Sequence, residues 1–169
     1  APEAPPAPSR VEARSAADPD EIERAVALLA EAERPAIVGG SGIWWDDAAN
    51  ELARLAEMLS APVFLNGSGR GSLPPEHALY FQHARGAALA GADVVLVAGA
   101  SLDFRLRYGE FGPGALVHVH GDPRELGRNR VPDVGLAGDC ALVLGALADA
   151  VPQTAERREW LEMVRTAEQ

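Results

Sequence analysis

The chain has 169 residues, enough for one domain with a substantial core, and at 47% hydrophobic and 24% charged it has an ordinary globular composition. A net charge of −10 argues against nucleic acid or an anionic membrane as the main partner. All 15 basic residues are Arg, which excludes lysine chemistry, and the single Cys140 excludes an internal disulfide or a multi-Cys zinc site and fits the cytoplasm.

Residues 1–17, rich in Pro and Ala, read as an extended interdomain linker. Asp18-Pro19-Asp20-Glu21 predicts a helix start, with Asp18 as cap, Pro19 in the first turn and Glu21 at the capping-box position. Ile22, Ala25, Val26 and Leu29 follow at helical spacing. Pro35–Gly39 reads as a strand entering the turn Gly39-Gly40-Ser41-Gly42, and Asp46 or Asp47 is placed to cap the next helix. Pro62–Leu65 is a second strand, followed by the loop Asn66-Gly67-Ser68-Gly69-Arg70-Gly71-Ser72. Leu79-Tyr80-Phe81 reads as a short third strand, and His83–Gly91 as a helix.

Val94–Ala98 is apolar throughout, the mark of a central strand covered on both faces. It ends in Gly99-Ala100-Ser101, where α/β proteins place ligands. Leu102–Tyr108 suggests a brief helix, Leu116–His120 a fifth strand, and Val134–Ala137 a sixth. Asp122-Pro123-Arg124-Glu125 repeats the cap and proline pattern, and Asp139 caps a helix reaching Val151. Thr154 is placed to cap a last amphipathic helix containing Trp160, Leu161 and Val164. Alternating strands and helices give an α/β fold: a Rossmann-like, doubly wound six-stranded parallel sheet of order 3-2-1-4-5-6, with helices on both faces. Residues 18–151 form that domain, and 152–169 a C-terminal helix or linker.

Several clusters carry chemistry, each with a plainer structural alternative. Gly39, Gly40 and Gly42 allow close backbone approach to a phosphate or form a tight turn, without the G-x-G-x-x-G spacing. Gly69 with Arg70 forms a phosphate cradle or a solvated loop. Arg85, Arg105 and Arg107 flank the central strand, as pyrophosphate grips or as surface ion pairs. His118 and His120 share one face of their strand, two parts of a metal site or structural residues. Cys140, just past a helix cap, is a lowered-pKa thiol or a small buried hydrophobe. Trp44-Trp45 forms a contact patch, a lid, or helix-start packing.

The order of motifs resembles the central domain of thiamine diphosphate-dependent enzymes of the acetolactate synthase type. The series runs from Arg34-Pro35-Ala36-Ile37-Val38-Gly39-Gly40 through Gly69-Arg70-Gly71-Ser72-Leu73-Pro74, His77 with Leu79-Tyr80, and Ala92-Asp93 with Gly99-Ala100. It continues with Val117-His118-Val119, Asp122-Pro123, Glu125, Gly127 and Asn129, and ends at Gly138-Asp139. It covers residues 20–151. Ala84-Arg85, Ala88-Leu89, Asp103-Phe104 and Tyr108-Gly109 look like the oxalyl-CoA decarboxylase and 2-hydroxyacyl-CoA lyase branch.

The resemblance implies a six-stranded domain that binds the ADP part of FAD, ADP or CoA in some members and is an empty bridge in others. Gly39, Gly40, Gly69, Arg70, Arg85, Gly99, Ala100, Ser101, Arg105, His120 and Asp122 are then the cofactor-binding candidates. Two positions depart from the pattern. Ser101 stands where nucleotide binders usually have Arg, and His120 where they usually have Asp. Each lost guanidinium contact is worth roughly 1.5–3 kcal/mol. The resemblance also implies a parent that makes or breaks carbon–carbon bonds next to a carbonyl. Thiamine diphosphate and Mg²⁺ would be held by flanking domains of the same chain, in a homo-oligomer (dimer or tetramer). No catalytic residue is expected in this segment. The rival readings are a freestanding nucleotide-binding module and an empty interaction domain.

Overall fold

The computed structural model describes residues 14–169. Five parallel strands form one sheet: β1 (Pro35–Gly39), β2 (Val63–Leu65), β3 (Val94–Ala98), β4 (Ala115–His120) and β5 (Val134–Ala137), in the order β2-β1-β3-β4-β5. Six helices surround it: α1 (Pro19–Glu31), α2 (Ser41–Trp45), α3 (Ala49–Leu59), α4 (Arg85–Gly91), α5 (Cys140–Ala150) and α6 (Arg158–Glu168).

The sheet has one strand fewer than expected. Leu79-Tyr80-Phe81 does lie outside β2, but as a single parallel bridge between Val63 and Tyr80. Val63 N donates to Leu79 O and Phe81 N to Val63 O. The ladder stops there because the next three N–H groups, of Gln82, His83 and Ala84, donate to the Glu168 carboxylate instead. The expected order is otherwise kept.

Alternation along the strands feeds two cores. Ile37, Leu96, Val117 and Leu136 face α1, α3 and α5 in one. Ala36, Val38, Val95, Val97 and Leu116 face α4 and α6 in the other. Truncating one such fully buried aliphatic side chain to Ala costs about 2–5 kcal/mol. Both faces are covered, as a wholly parallel sheet requires.

Local signals held at some helix ends and failed at others. Asp18 caps α1, accepting from Asp20 N at 2.9 Å, but Glu21 turns to Arg24 at 2.8 Å instead of closing a capping box. α3 starts from Ala48 with no side-chain cap, because the Asp46 carboxylate is taken by the N–H of Cys140 at 2.7 Å. α6 starts after Arg157 and not after Thr154, whose N–H donates to Met58 O. Arg157 locks this entry by donating to the carbonyls of Ala32 and Leu59. Trp160 then donates to Pro35 O at 2.9 Å from within the core. Of the expected linker, residues 1–13 lie outside the described residues. Ser15 O accepts from Asp139 N at the start of α5. No helix among the described residues is long and apolar enough to cross a membrane.

Candidate functional site

β1 and β3 are neighbours in register, Gly39 opposite Ala98. At their carboxyl ends the chain departs toward opposite faces: β1 leads to α3 in the first core, β3 to Leu102 and Leu106 in the second. This is a topological switch point, where a crevice must open.

The turn after β1 lies directly on the turn after β3. Gly40 N donates to Ala98 O at 2.8 Å and Gly42 N to Gly99 O at 2.9 Å. A Cβ on Gly40 would sit 2.5 Å from Ala100 Cβ, and one on Gly42 2.6 Å from Gly99 Cα. A Cβ on Gly69 would sit 2.4 Å from Gly40 O, so the second glycine loop stacks beneath the first. Gly40 and Gly69 have ordinary backbone angles. Their lack of a side chain serves close approach alone. Gly99, at φ +64°, also needs the left-handed conformation. Gly39 faces Leu65 and Ile43 in the core.

Above these contacts is a crevice of about 310 Å³, lined in part by Asp46, Asn66, Gly99, Ala100, Ser101, Asp103, Arg105 and His120. No described group accepts from the N–H of Ala100 or Ser101. Two free backbone donors at a glycine-walled turn are a ready anion or hydroxyl site. His118, fully buried, supports the turn from below, its Nε2 donating to Ala100 O at 2.8 Å. Its Nδ1 is then a buried acceptor without a partner. Burial lowers the His118 pKa; the Ala100 bond only partly opposes this. His120 accepts from Asp122 N through Nδ1, so its neutral ring carries the proton on Nε2. His118 Nε2 is committed to a carbonyl and His120 Nδ1 to a backbone N–H, and the described residues contain no group of three or more metal-ligating side chains.

Cys140 lines the crevice floor, but burial, aided by Asp46, raises its thiol pKa far above neutrality. It behaves as a small hydrophobe. Trp44 and Trp45 meet edge to face at 4.7 Å and stand exposed, Trp45 at the crevice wall. Asp122 does not line the crevice. It binds Arg124 at 2.8 Å, which holds its carboxyl down at about 2.

Arg70 and Arg85 do not enter the crevice. With Arg105 and Arg107 they line a second cavity of about 300 Å³ on the α4 side of the sheet. Arg105 borders both cavities. Its place is set by Asp103, which accepts from Arg105 N at 2.9 Å and pairs with its guanidinium at 2.8 Å. Arg107 and Tyr108 follow at φ +49° and +55°. Two consecutive left-handed residues with side chains cost about 1–2 kcal/mol each. Arg130 anchors the strained turn through Gly109 O at 2.9 Å.

The sequence reading did not single out Asp46, Asn66 or Asp103 as site residues. Asn66 and Asp103 had a usable signal, a polar residue at or just past a strand's carboxyl end. Asp46 had none, because its partner Cys140 is 94 residues away.

The family model described as thiamine pyrophosphate enzyme, central domain, matches residues 22–147. The chain is a central domain of the thiamine pyrophosphate enzyme family. A probable acetolactate synthase of Mycobacterium bovis is 38% identical over 151 residues, covering 88% of this chain and 27% of that protein. A 2-hydroxyacyl-CoA lyase of Arabidopsis thaliana is 39% identical over 133 residues, covering 75% of this chain and 23% of that protein. The crystal structure of a thiamin diphosphate-dependent enzyme from Mycobacterium smegmatis superposes with a TM-score of 0.75 at 27% identity, over 89% of this chain and 31% of that one. The chain thus spans about a quarter of the curated relatives' length.

The Gly138-Asp139 pair does not fit the metal–diphosphate end of the thiamine cofactor. Asp139, the acidic residue after Gly138, caps α5 through Leu142 N and is gripped by Arg14 at 2.8 Å. It has no free oxygen directed at a metal–diphosphate pair.

Proposed function

We propose that this central domain serves a parent enzyme that makes or breaks carbon–carbon bonds next to a carbonyl, and that its crevice holds the ADP portion of FAD, ADP or CoA. Thiamine diphosphate with Mg²⁺, held by flanking domains of the same chain, supplies the electron sink in such a parent. We place the assembly in the cytoplasm as a homo-oligomer. The observation that carries the crevice reading is the pair of free N–H groups at Ala100 and Ser101, at a switch point walled by glycine backbone. His120 Nε2–H and Asn66 add side-chain donors.

One observation favours an empty bridge instead. Asp46 and Asp103 bring two carboxylates to the crevice against one guanidinium, a poor setting for a diphosphate. Calorimetric titration of the full-length protein with ADP, FAD and CoA separates the two. Micromolar binding of one of them, lost in Ser101→Asp, supports the nucleotide reading. Absence of heat and of thermal stabilisation with all three leaves the bridge.

A further inference from the structure

Arg70, Arg85, Arg105 and Arg107 come from three separated stretches of chain and meet at one cavity. Elsewhere among the described residues, Arg14, Arg54, Arg124 and Arg128 each hold a carboxylate at 2.6–2.8 Å, and Arg34, Arg130 and Arg157 donate to backbone carbonyls. At the cavity, Arg70, Arg85 and Arg107 have no carboxylate partner among the described residues. Two carboxylates that bind cavity-lining residues are engaged. Asp103 is held by Arg105, and Glu168 accepts from the N–H groups of Gln82, His83 and Ala84.

Four arginines line one cavity, and only Arg105 is paired with a carboxylate, so positive charge is concentrated on this face. The fold positions them. Arg85 donates to Arg105 O at 3.3 Å, and Arg107 is presented by the strained left-handed turn. Phe64 and Phe81 give the cavity an apolar wall, which lowers the local dielectric and strengthens charge pairing.

We propose that this cavity is a second anion site, distinct from the crevice, and that it takes the phosphoryl group of an organic phosphate or diphosphate. A planar guanidinium matches phosphate oxygens two at a time, and three unpaired guanidiniums match the charge of a diphosphate better than that of a single carboxylate. The phosphoryl group could belong to a nucleotide seated in the crevice and reaching past Arg105, or to a separate phosphorylated compound. The site does not depend on the crevice being a nucleotide site.

The test uses inorganic pyrophosphate as probe, titrated calorimetrically into the full-length protein at low and high salt. We expect saturable binding that weakens with salt, and a loss of about tenfold or more in affinity in Arg85→Gln and in Arg107→Gly. Glycine suits the backbone at position 107, so that variant keeps the test valid if the other misfolds. Repeating the titration with ADP present separates the sources: competition identifies a nucleotide's own phosphates, and simultaneous binding identifies a separate compound. No pyrophosphate binding by the native protein, or equal affinity in both variants, overturns the proposal. Failure of ADP to bind while pyrophosphate does would sink the crevice reading and leave this one standing.

Discussion

The crevice and the arginine cavity lie on opposite sides of the segment from Asp103 to Arg107, share Arg105 and have nearly equal volumes, yet they are built by different means. The crevice is made of backbone. Its shape depends on Gly40, Gly42 and Gly69 lying closer to neighbouring atoms than any side chain permits. The cavity is made of side chains. Its arginines are half-exposed or exposed, and among the described residues three of the four lack an ion-pair partner. The contrast teaches where each kind of substitution acts: steric changes at the crevice alter the fold, whereas charge changes at the cavity alter binding and leave the fold nearly untouched.

The strongest way to break this contrast is Gly40→Val. Gly40 is extended, so backbone strain is not the issue. The new Cβ would overlap Ala100 Cβ and Gly99 O at 2.5 Å, and both belong to a packed turn that cannot retreat. We expect a loss of about 3 kcal/mol or more, seen as a lower denaturant midpoint. Gly71→Val, by contrast, meets nothing within 4 Å, so only the strain of its φ +93° remains and the loss should be smaller. Equal losses would show that close approach is not what holds the two turns together.

A second expectation concerns the support beneath the crevice. Replacing His118 with Phe removes the donor to Ala100 O and should cost about 1–3 kcal/mol at pH 7. The pH dependence is more specific. The folded pKa of His118 lies below its ordinary 6.5, through burial first and the neighbouring His120 to a lesser extent, opposed by the Ala100 hydrogen bond and, more weakly, by Glu125. The unfolded chain therefore takes up this proton before the folded one does. The associated stability is complete above pH 6.5 and is lost as pH falls below it toward the folded pKa. Chemical denaturation followed downward from pH 7 should show a steeper decline for the native protein than for His118→Phe. Parallel curves would mean that the imidazole is not buried as a neutral group.

The sequence revealed the fold better than the site, for a physical reason. Val94–Ala98 and Pro35–Gly39 are apolar on both faces, and only a central parallel strand accommodates that, so the sheet order could be inferred. The third strand failed because Leu79–Phe81 makes a single bridge before Glu168, 84 residues past Ala84, captures the next N–H groups. The glycine turns were visible as clusters, but nothing local shows that Gly69 lies under Gly40. The arginines were visible individually. That Arg70 and Arg85 share a cavity with Arg107 and leave the crevice to Ser101 and His120 depends on which face of the sheet each loop crosses. Position along the chain does not encode that.

The smallest expected effect sharpens the comparison most, because its sign is unusual. Arg107 sits at φ +49°, where a side chain is strained by about 1–2 kcal/mol and glycine is not. Glycine gives back part of that gain through its greater freedom in the unfolded chain, about 0.5–1 kcal/mol. Arg107→Gly should therefore stabilise the domain by a few tenths of a kcal/mol to about 1 kcal/mol, raising Tm by roughly 1–3 °C by calorimetry. The same variant should bind pyrophosphate more weakly. A residue whose removal strengthens the fold while weakening binding is placed for its charge, and the left-handed turn is the structural expense of presenting that charge at the cavity. An Arg107→Gly protein that is less stable than the native one would show that the side chain contributes packing here, and the division between a backbone-built crevice and a charge-built cavity would not hold at this position.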